Sequence, residues 1–186
     1  MIKALLSSMR PRQWTKNLIV YFAFFFTINQ EDGGWNLDDL SLAARFFTRI
    51  TVAFAIFCLI TSAVYLFNDV LDAEKDRRHP NKRRRPIAAG VLSPFLALAI
   101  ALVLAAGGLA LSLVLEPLYA LVALIYLVSM IAYSTYLKRL IIIDISVISA
   151  GFVLRAIAGA VVLDVTISQW LYICTTLGAL FLGFAK

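Results

Sequence analysis

The sequence carries little charge for its length. Only 15% of the 186 residues are Asp, Glu, Lys or Arg, against roughly a quarter in an ordinary soluble domain. Hydrophobic residues make up 62% of the chain and occur in long runs instead of alternating with polar residues. This composition excludes a disordered chain, a disulfide scaffold and a water-soluble globule. It predicts an all-α, polytopic membrane protein, because a span needs about 20 mostly apolar residues and transmembrane strands are shorter and alternate.

Metal-binding and redox-active side chains are also scarce. Cys58 and Cys174 are the two cysteines, and both lie inside apolar runs, where cysteine behaves as a small hydrophobe. The chain has one histidine and neither a CxxC nor an HExxH pattern, which excludes a zinc site of the common kinds. No small-residue cleavage pattern closes the first apolar run, so we do not expect a cleaved signal peptide.

The apolar residues form six segments that we predict to be membrane helices. The segments are 18–28, 42–67, 94–115, 118–137, 141–163 and 167–185. The first segment is short, and we expect the amphipathic residues around 11–16 to extend it. Pro94 and Pro117 predict two helix starts, because the missing N–H of proline costs nothing in the first turn of a helix.

Lysine and arginine are distributed unevenly between the connections. Fourteen of the 17 lie in the N-terminal segment, in the connections after the second and fourth hydrophobic segments, and at the C-terminus. The connections on the opposite side carry Asp and Glu instead. Because Lys and Arg are retained on the cytoplasmic side, we predict a multi-pass protein of the cell membrane with its N-terminus and its basic connections in the cytoplasm.

An acidic motif follows the second hydrophobic segment. Asn68, Asp69, Asp72 and Asp76 form the pattern N-D-x-x-D-x-x-x-D. If the helix continues past Asn68, the three aspartates share one face. Like charges on one face require a cation, and oxygen ligands without His or Cys suit Mg²⁺. We predict that these four residues bind Mg²⁺. The alternative is a set of ordinary solvated acids at a helix end.

Seven Lys and Arg residues follow within positions 75–85. One interpretation is a polybasic loop on anionic headgroups, where each cation contributes about 1 kcal/mol. The other is a site for Mg²⁺–polyphosphate, in which the acids hold the metal and the cations bind the remaining phosphate oxygens. We predict that residues 68–91 form a cytoplasmic substrate-binding loop within a single membrane domain over residues 1–186. His79 is expected to be a hydrogen-bonding loop residue.

Two adjacent motifs are similar to those of a known family. NDVLDAEKD followed by RRHPNKRRRPIAAG resembles the first aspartate-rich motif of the UbiA superfamily of intramembrane prenyltransferases. The stretches RPRQWTKN and YSTYLKRLIIIDISVISAGFVLRAIAGA resemble its decaprenyl-phosphate phosphoribosyltransferase branch. The resemblance implies a nine-helix fold around a cavity open to the membrane, with six of the helices in this chain. It also implies a second polar motif after the sixth helix, so we expect the chain to be truncated.

The resemblance further implies a reaction and a set of site residues. The reaction joins phosphoribosyl pyrophosphate and a polyprenyl phosphate into polyprenyl-phosphoribose, a precursor of cell-wall arabinan. By the resemblance, Asp69, Asp72 and Asp76 are catalytic and hold Mg²⁺ and the diphosphate together with Asn68. The residues that the resemblance assigns to the phosphate pocket are Lys16, Lys82, Arg83, Arg85, Tyr133 and Lys138.

Two charged residues lie inside the fifth hydrophobic segment. Asp144 and Arg155 share a helix face, 11 residues apart, which is about 16 Å along a helix and excludes an ion pair. Intramembrane charges usually face a bundle interior or a wet cavity, so we predict that both bind substrate. A structural pairing is the alternative for Arg155. Tyr133 and Lys138 could instead anchor the chain at the membrane interface.

Two other functions remain open at this point. The acidic motif alone does not separate phosphoribosyl transfer from ordinary prenyl transfer, in which an isoprenyl diphosphate reacts with an aromatic or other acceptor. The many cations favour two phosphate-bearing substrates. A transporter would be expected to show a repeat with broken helices, and the sequence shows none. Membrane lipids are the expected surroundings, no nucleic-acid partner is expected, and self-association is left open.

Overall fold

A computed structural model describes residues 1–29, 34–36, 38–137, 141–166 and 169–184. The α-helices in these ranges are α1 (Ile2–Met9), α2 (Phe22–Phe26), α3 (Leu40–Leu71), α4 (Ala73–Arg78), α5 (Pro94–Leu115), α6 (Pro117–Thr135), α7 (Ile141–Leu163) and α8 (Gln169–Phe184). Two 3₁₀ helices, Pro11–Tyr21 and Lys82–Arg84, lie between them. One isolated bridge, between Ile28 and Trp35, is the β-structure in the described residues. The all-α prediction is confirmed.

Four helices in the described ranges are long and apolar enough to cross a membrane. They are α3, α5, α6 and the Ile145–Leu163 part of α7, and they match four of the six predicted segments. The first segment consists of the Pro11–Tyr21 3₁₀ helix and α2, so its predicted extension is confirmed. A 3₁₀ helix rises about 2 Å per residue, and these two helices together therefore extend about 30 Å. The sixth segment corresponds to α8, which contains the apolar helical stretch Tyr172–Phe181.

Local sequence signals explain where these helices begin. Pro94 and Pro117 are the first residues of α5 and α6, as predicted. Asp39 caps α3, because its carboxylate accepts the backbone N–H groups of Ser41 and Leu42. Helix α3 has 32 residues, about 48 Å at 1.5 Å per residue, and is therefore longer than a hydrocarbon core of about 30 Å. The acidic motif begins at the C-terminal end of this long helix and continues into α4.

Helix α3 is the centre of the bundle. It packs against α1, α5, α6, α7 and the first 3₁₀ helix. Small residues permit the closest approaches, as is usual between membrane helices. A Cβ atom on Gly159 of α7 would lie 2.0 Å from the carbonyl oxygen of Val20, and one on Gly108 of α5 would lie 2.7 Å from Cγ1 of Ile60. Both α5 and the N-terminal segment are thereby fixed relative to α3 and α7.

A small second core lies beneath the acidic motif. Its fully or nearly buried members are Leu66, Ala73, Ile87, Leu92, Ala97 and Ala101. Leu5 and Met9 of α1 pack against it. This core joins α1, the end of α3, α4 and the start of α5, so the elements that carry the acidic and basic motifs form one packed unit.

Candidate active site

Asp69 and Asp76 come together at the C-terminal end of α3. They are 3% and 2% exposed. Arg85 Nη1 donates to Asp76 Oδ2 at 2.6 Å and to Asp69 Oδ1 at 3.3 Å. Arg10 Nη2 donates to the same Oδ1 atom of Asp69. Two buried carboxylates and two partly exposed guanidinium groups therefore form one hydrogen-bonded cluster, which we call the acid–arginine cluster.

The backbone at Asp72 explains why these aspartates share one side. Helix α3 ends at Leu71, and Asp72 joins it to α4. The N–H of Asp72 donates to the carbonyl of Asn68 at 3.0 Å, and the N–H of Asp76 donates to the carbonyl of Asp72 at 2.8 Å. The helical repeat thus passes through the junction, and Asp69 and Asp76, two turns apart, stay on one face. Asn68 and Asp72 are partly exposed beside them. Residues 68–91 therefore contain a helix, α4, and are not a simple loop.

Arg10 was not among the site residues predicted from the sequence. It lies between α1 and the first 3₁₀ helix with φ of 54°, a left-handed conformation that turns the chain. Its guanidinium carbon lies 5.0 Å from the ring centroid of Tyr65, and its Nη2 group donates the hydrogen bond to Asp69. The RPRQWTKN motif contained the signal, but only Lys16 was predicted from it. Periodicity could not have paired Arg10 with an aspartate 59 positions away.

The rest of that motif also faces α3. Trp14 Nε1 donates to Ser62 Oγ at 3.1 Å. Asn17 is buried, and its Nδ2 donates to Thr61 Oγ1 at 3.1 Å and to Cys58 Sγ at 3.3 Å. The N-terminal segment is therefore held along α3 by polar contacts at successive levels. These contacts hold Arg10 at the end of α3.

Arg155 is 6% exposed and points into the bundle. Its Nε donates to Asn17 Oδ1 at 2.8 Å, its Nη1 to the carbonyl of Gly151 at 2.7 Å, and its Nη2 to the Tyr126 hydroxyl at 2.8 Å. Its guanidinium also lies 4.8 Å from the ring centroid of Tyr126. The interior position agrees with the rule for intramembrane charges. These contacts join α6, α7 and the N-terminal segment, which supports the structural alternative for Arg155, and substrate binding by this residue stays a prediction.

The remaining predicted residues lie on the surface or outside the described ranges. Lys16 is exposed on the first 3₁₀ helix, and Lys82 and Arg83 are exposed on the second. Tyr133 is partly exposed near the end of α6. Lys138 and the side chain of Asp144 lie outside the described residues.

The predicted Mg²⁺ ligands can be tested against this geometry. Among the described residues, no three Asp, Glu, His or Cys side chains converge closely enough to enclose a metal ion. Two carboxylates, those of Asp69 and Asp76, do converge on one cationic group of Arg85. Mg²⁺ usually takes one or two carboxylates and completes its shell with water and substrate phosphates. The oxygen donors of the cluster therefore fit a Mg²⁺ ion that binds together with a phosphate-bearing substrate.

Comparison with known proteins identifies the family. Residues 39–186 match the model of the UbiA prenyltransferase family. The chain belongs to this family. It is 40% identical over its whole length to the decaprenyl-phosphate phosphoribosyltransferase of Mycolicibacterium smegmatis and 39% identical to that of Mycobacterium tuberculosis. It spans 56% and 59% of the length of these two curated relatives.

A solved UbiA structure shows the same fold. The UbiA homologue from Archaeoglobus fulgidus, bound to DMAPP and Mg²⁺, superposes with a TM-score of 0.74 over 95% of this chain and 60% of that protein. The sequence identity of 20% limits this likeness to the fold. The predicted UbiA-type helical membrane bundle is confirmed.

Proposed function

We propose that the chain belongs to a Mg²⁺-dependent transferase that moves 5-phosphoribose from phosphoribosyl pyrophosphate to a polyprenyl phosphate, such as decaprenyl phosphate. The observation that carries the proposal is the acid–arginine cluster, in which carboxylates for a metal and guanidinium groups for phosphates share one buried place. The names of the two curated relatives support this choice of substrates. The product would serve the synthesis of cell-wall arabinan.

The residues of the cluster divide between metal and phosphate. Bound Mg²⁺ would supply Lewis-acid stabilisation of the charge on the departing diphosphate. Asp69 and Asp76 would hold it, with Asn68 and Asp72 as neighbouring oxygen donors. Arg10 and Arg85 both reach Asp69, so a diphosphate held at that carboxylate through the metal would lie within reach of both guanidinium groups. Planar guanidinium groups suit phosphate oxygens because they can donate two parallel hydrogen bonds.

The reaction needs no protein nucleophile. An oxygen of the lipid phosphate attacks C1 of the ribose, the bond from C1 to the diphosphate oxygen breaks, and the diphosphate leaves with the electron pair. The lipid phosphate is already anionic at neutral pH, so no proton has to be removed. His79, the one histidine of the chain, is exposed, and its Nδ1 accepts the backbone N–H of Asn81 at 3.3 Å. It is a loop hydrogen-bonding residue, as expected.

Burial of the cluster strengthens its effect on the transition state. Negative charge grows on the diphosphate as the C1–O bond breaks. Preorganised cationic donors in a site with little water stabilise such charge more than they would in bulk water. Because Arg10 and Arg85 already donate hydrogen bonds to Asp69 and Asp76, their guanidinium groups are oriented before the substrate arrives.

Substrate comparison tests the proposal. The complete native protein, in neutral detergent with Mg²⁺, is incubated either with polyprenyl phosphate and labelled phosphoribosyl pyrophosphate or with an aromatic acceptor and labelled isoprenyl diphosphate. We expect a labelled transfer product only in the first reaction. Transfer from the isoprenyl diphosphate to an aromatic acceptor, without phosphoribosyl transfer, would instead establish the prenyltransferase alternative.

Cation substitutions test the donor-binding assignment. We expect Lys82→Gln with Arg83→Gln to raise the KM for phosphoribosyl pyrophosphate in neutral micelles, since two cations that face the donor phosphates are lost. An unchanged donor KM in micelles, with an effect seen only in anionic bilayers, would show that these two residues bind headgroups.

A further inference from the structure

A second basic surface lies beside the acid–arginine cluster. Helix α1 and the start of the first 3₁₀ helix form an open cleft of about 740 Å³. In the part of the chain that the structure describes, its lining includes Lys3, Arg10 and Arg12 and no acidic residue. Within the described residues, neither Lys3 nor Arg12 forms an ion pair. The cleft therefore has two uncompensated cations and a third that it shares with the cluster.

The cleft also has an apolar side. Leu5 and Met9 of α1 pack into the core beneath the acidic motif, whereas Ile2 and Leu6 remain 73% and 48% exposed. Leu6 lines the cleft itself. Helix α1 carries Lys3 beside these exposed aliphatic groups, and Arg10 and Arg12 follow directly after it. A segment that combines cations with exposed aliphatic groups is typical of the membrane interface. The chemistry of the cleft therefore suits an anionic group attached to a hydrocarbon chain.

Arg10 links this cleft to the acid–arginine cluster. It lines the cleft and at the same time donates to Asp69. An anion in the cleft and a diphosphate at Asp69 would therefore lie on either side of one guanidinium group. That cation would reduce the repulsion between the two anions. Attack by one phosphate oxygen on a sugar held through its diphosphate requires this kind of proximity.

We propose that this cleft binds the phosphate group of the polyprenyl phosphate acceptor. Lys3, Arg10 and Arg12 contact the phosphate, and Leu6 contacts the first isoprene units. The inference rests on the proposed function, because that reaction has a lipid phosphate as its second substrate. A bulk phospholipid headgroup has a similar charge. We favour the acceptor because its phosphate must reach the donor, and the hydrogen bond from Arg10 to Asp69 places the cleft next to the proposed donor site.

The test separates acceptor binding from donor binding. The Lys3→Gln/Arg12→Gln double variant, called the cleft pair, is compared with Arg45→Gln/Arg49→Gln, a control pair near the first end of α3 with the same change in charge and the same exposure class. Both are made in the complete native protein and assayed in neutral detergent with farnesyl phosphate. We expect the cleft pair to raise the KM for farnesyl phosphate about tenfold or more and to leave the KM for phosphoribosyl pyrophosphate unchanged. The control pair should alter neither value.

Direct binding makes the test independent of turnover. Farnesyl phosphate should bind the native protein more tightly than farnesol, and the cleft pair should remove this difference. The Lys3→Arg/Arg12→Lys double variant keeps both positive charges and should show the same difference in affinity as the native protein. This result would also verify that the segment is folded. If the native protein fails to transfer phosphoribose but still shows this phosphate-dependent binding, the proposed function is wrong. The cleft is then a binding site for a lipid phosphate and not the acceptor site of that reaction.

Two results would overturn the cleft assignment while the proposed function stands. One is that the cleft-pair variant is active, has an unchanged KM for farnesyl phosphate and still binds farnesyl phosphate more tightly than farnesol. The other is an effect confined to bilayers of anionic phospholipid and absent in neutral micelles, which would assign the cleft to membrane headgroups.

Discussion

The two ends of α3 carry similar charged groups in opposite environments. At the first end, Asp39 is exposed and caps the helix, and Arg49, 43% exposed, pairs with Glu116 at 3.1 Å. At the other end, Asp69 is 3% exposed and bonded to two arginines, one of them Arg85. Carboxylates and guanidinium groups are present at both ends, and the degree of burial distinguishes them.

The difference in burial between the two ends of α3 has an energetic consequence. Removing a charge from water costs several kcal/mol even after relaxation, and a buried ion pair is often no more stabilising than well-packed apolar residues. Stability alone therefore does not explain the acid–arginine cluster. The capping and pairing of Asp39 and Arg49, in contrast, are accounted for by helix termination and surface electrostatics. We infer that the reaction depends on the charged groups at the buried end of α3, whereas the charged groups at the exposed end contribute modestly to stability.

The largest expected effect is on turnover at the buried end. Asp76→Asn in the complete native protein should lower kcat by about 100-fold or more, because the metal loses a carboxylate and Arg85 loses its closest acceptor. Asp72→Asn should have an effect of the same kind, because we predict that this residue is a further metal ligand. The measurement is phosphoribosyl transfer with Mg²⁺, alongside thermal unfolding in detergent to verify folding. Glu74→Gln, an exposed acid on α4, is the matched control, and near-normal activity of a folded Asp76→Asn protein would contradict the metal assignment.

The next largest expected effect is a loss of stability on substitution of Arg155. This residue is buried and donates hydrogen bonds to neutral groups. Arg155→Met leaves the oxygen of Asn17 and the hydroxyl of Tyr126 without their donor, and each unsatisfied buried group costs about 1–3 kcal/mol. We therefore expect a clear fall in the melting temperature, with Tyr126→Phe showing a smaller one. A variant that unfolds normally but has lost activity would show that Arg155 binds substrate and is not chiefly structural.

Patterns within one element were predicted well from the sequence. The starts of α5 and α6 follow from Pro94 and Pro117, because proline acts through local geometry alone. The positions of Asp69 and Asp76 on one face follow from the helical repeat. Hydropathy could not distinguish a 3₁₀ helix from an α-helix in the first segment, since the two differ in rise per residue and not in apolar content.

Contacts between distant segments could not be predicted. Arg10 and Asp69 are 59 positions apart, and Arg155 and Asn17 are 138 positions apart. Neither pair has a periodic signature, because each depends on how the N-terminal segment packs along α3. Gly159, whose missing side chain permits contact with Val20, is one reason for that packing, and a glycine alone does not reveal its partner.

A smaller effect is expected at the exposed end. Arg49→Gln removes a partly exposed ion pair between α3 and Glu116, the residue that directly precedes α6. Such pairs contribute at most about 1 kcal/mol. A double-mutant cycle with Glu116→Gln should give a coupling energy in that range that declines with added salt. A coupling energy of several kcal/mol that does not change with salt would contradict the comparison. It would mean that the exposed end of α3 depends on its charged pair as strongly as the buried end does.

The smallest expected effect is that of Asp39→Asn. Asparagine is as good an N-cap as aspartate, so the helix start should survive and the melting temperature near neutral pH should change little. The Ser41 hydroxyl and the Leu42 backbone N–H, both donating to the carboxylate, hold the pKa of Asp39 below its ordinary value. A lowered pKa in the folded state means that the ionised cap stabilises the protein above the unfolded pKa, and that this contribution is lost as the pH falls through the folded pKa. The native protein should therefore lose slightly more stability in acid than the Asp39→Asn variant does. The measurement is the difference between the two melting temperatures as a function of pH. Other titrating groups are common to both proteins, so their effects cancel in this difference. A large loss in Asp39→Asn at neutral pH would show that the charge of Asp39, and not only its hydrogen bonds, supports this end of α3.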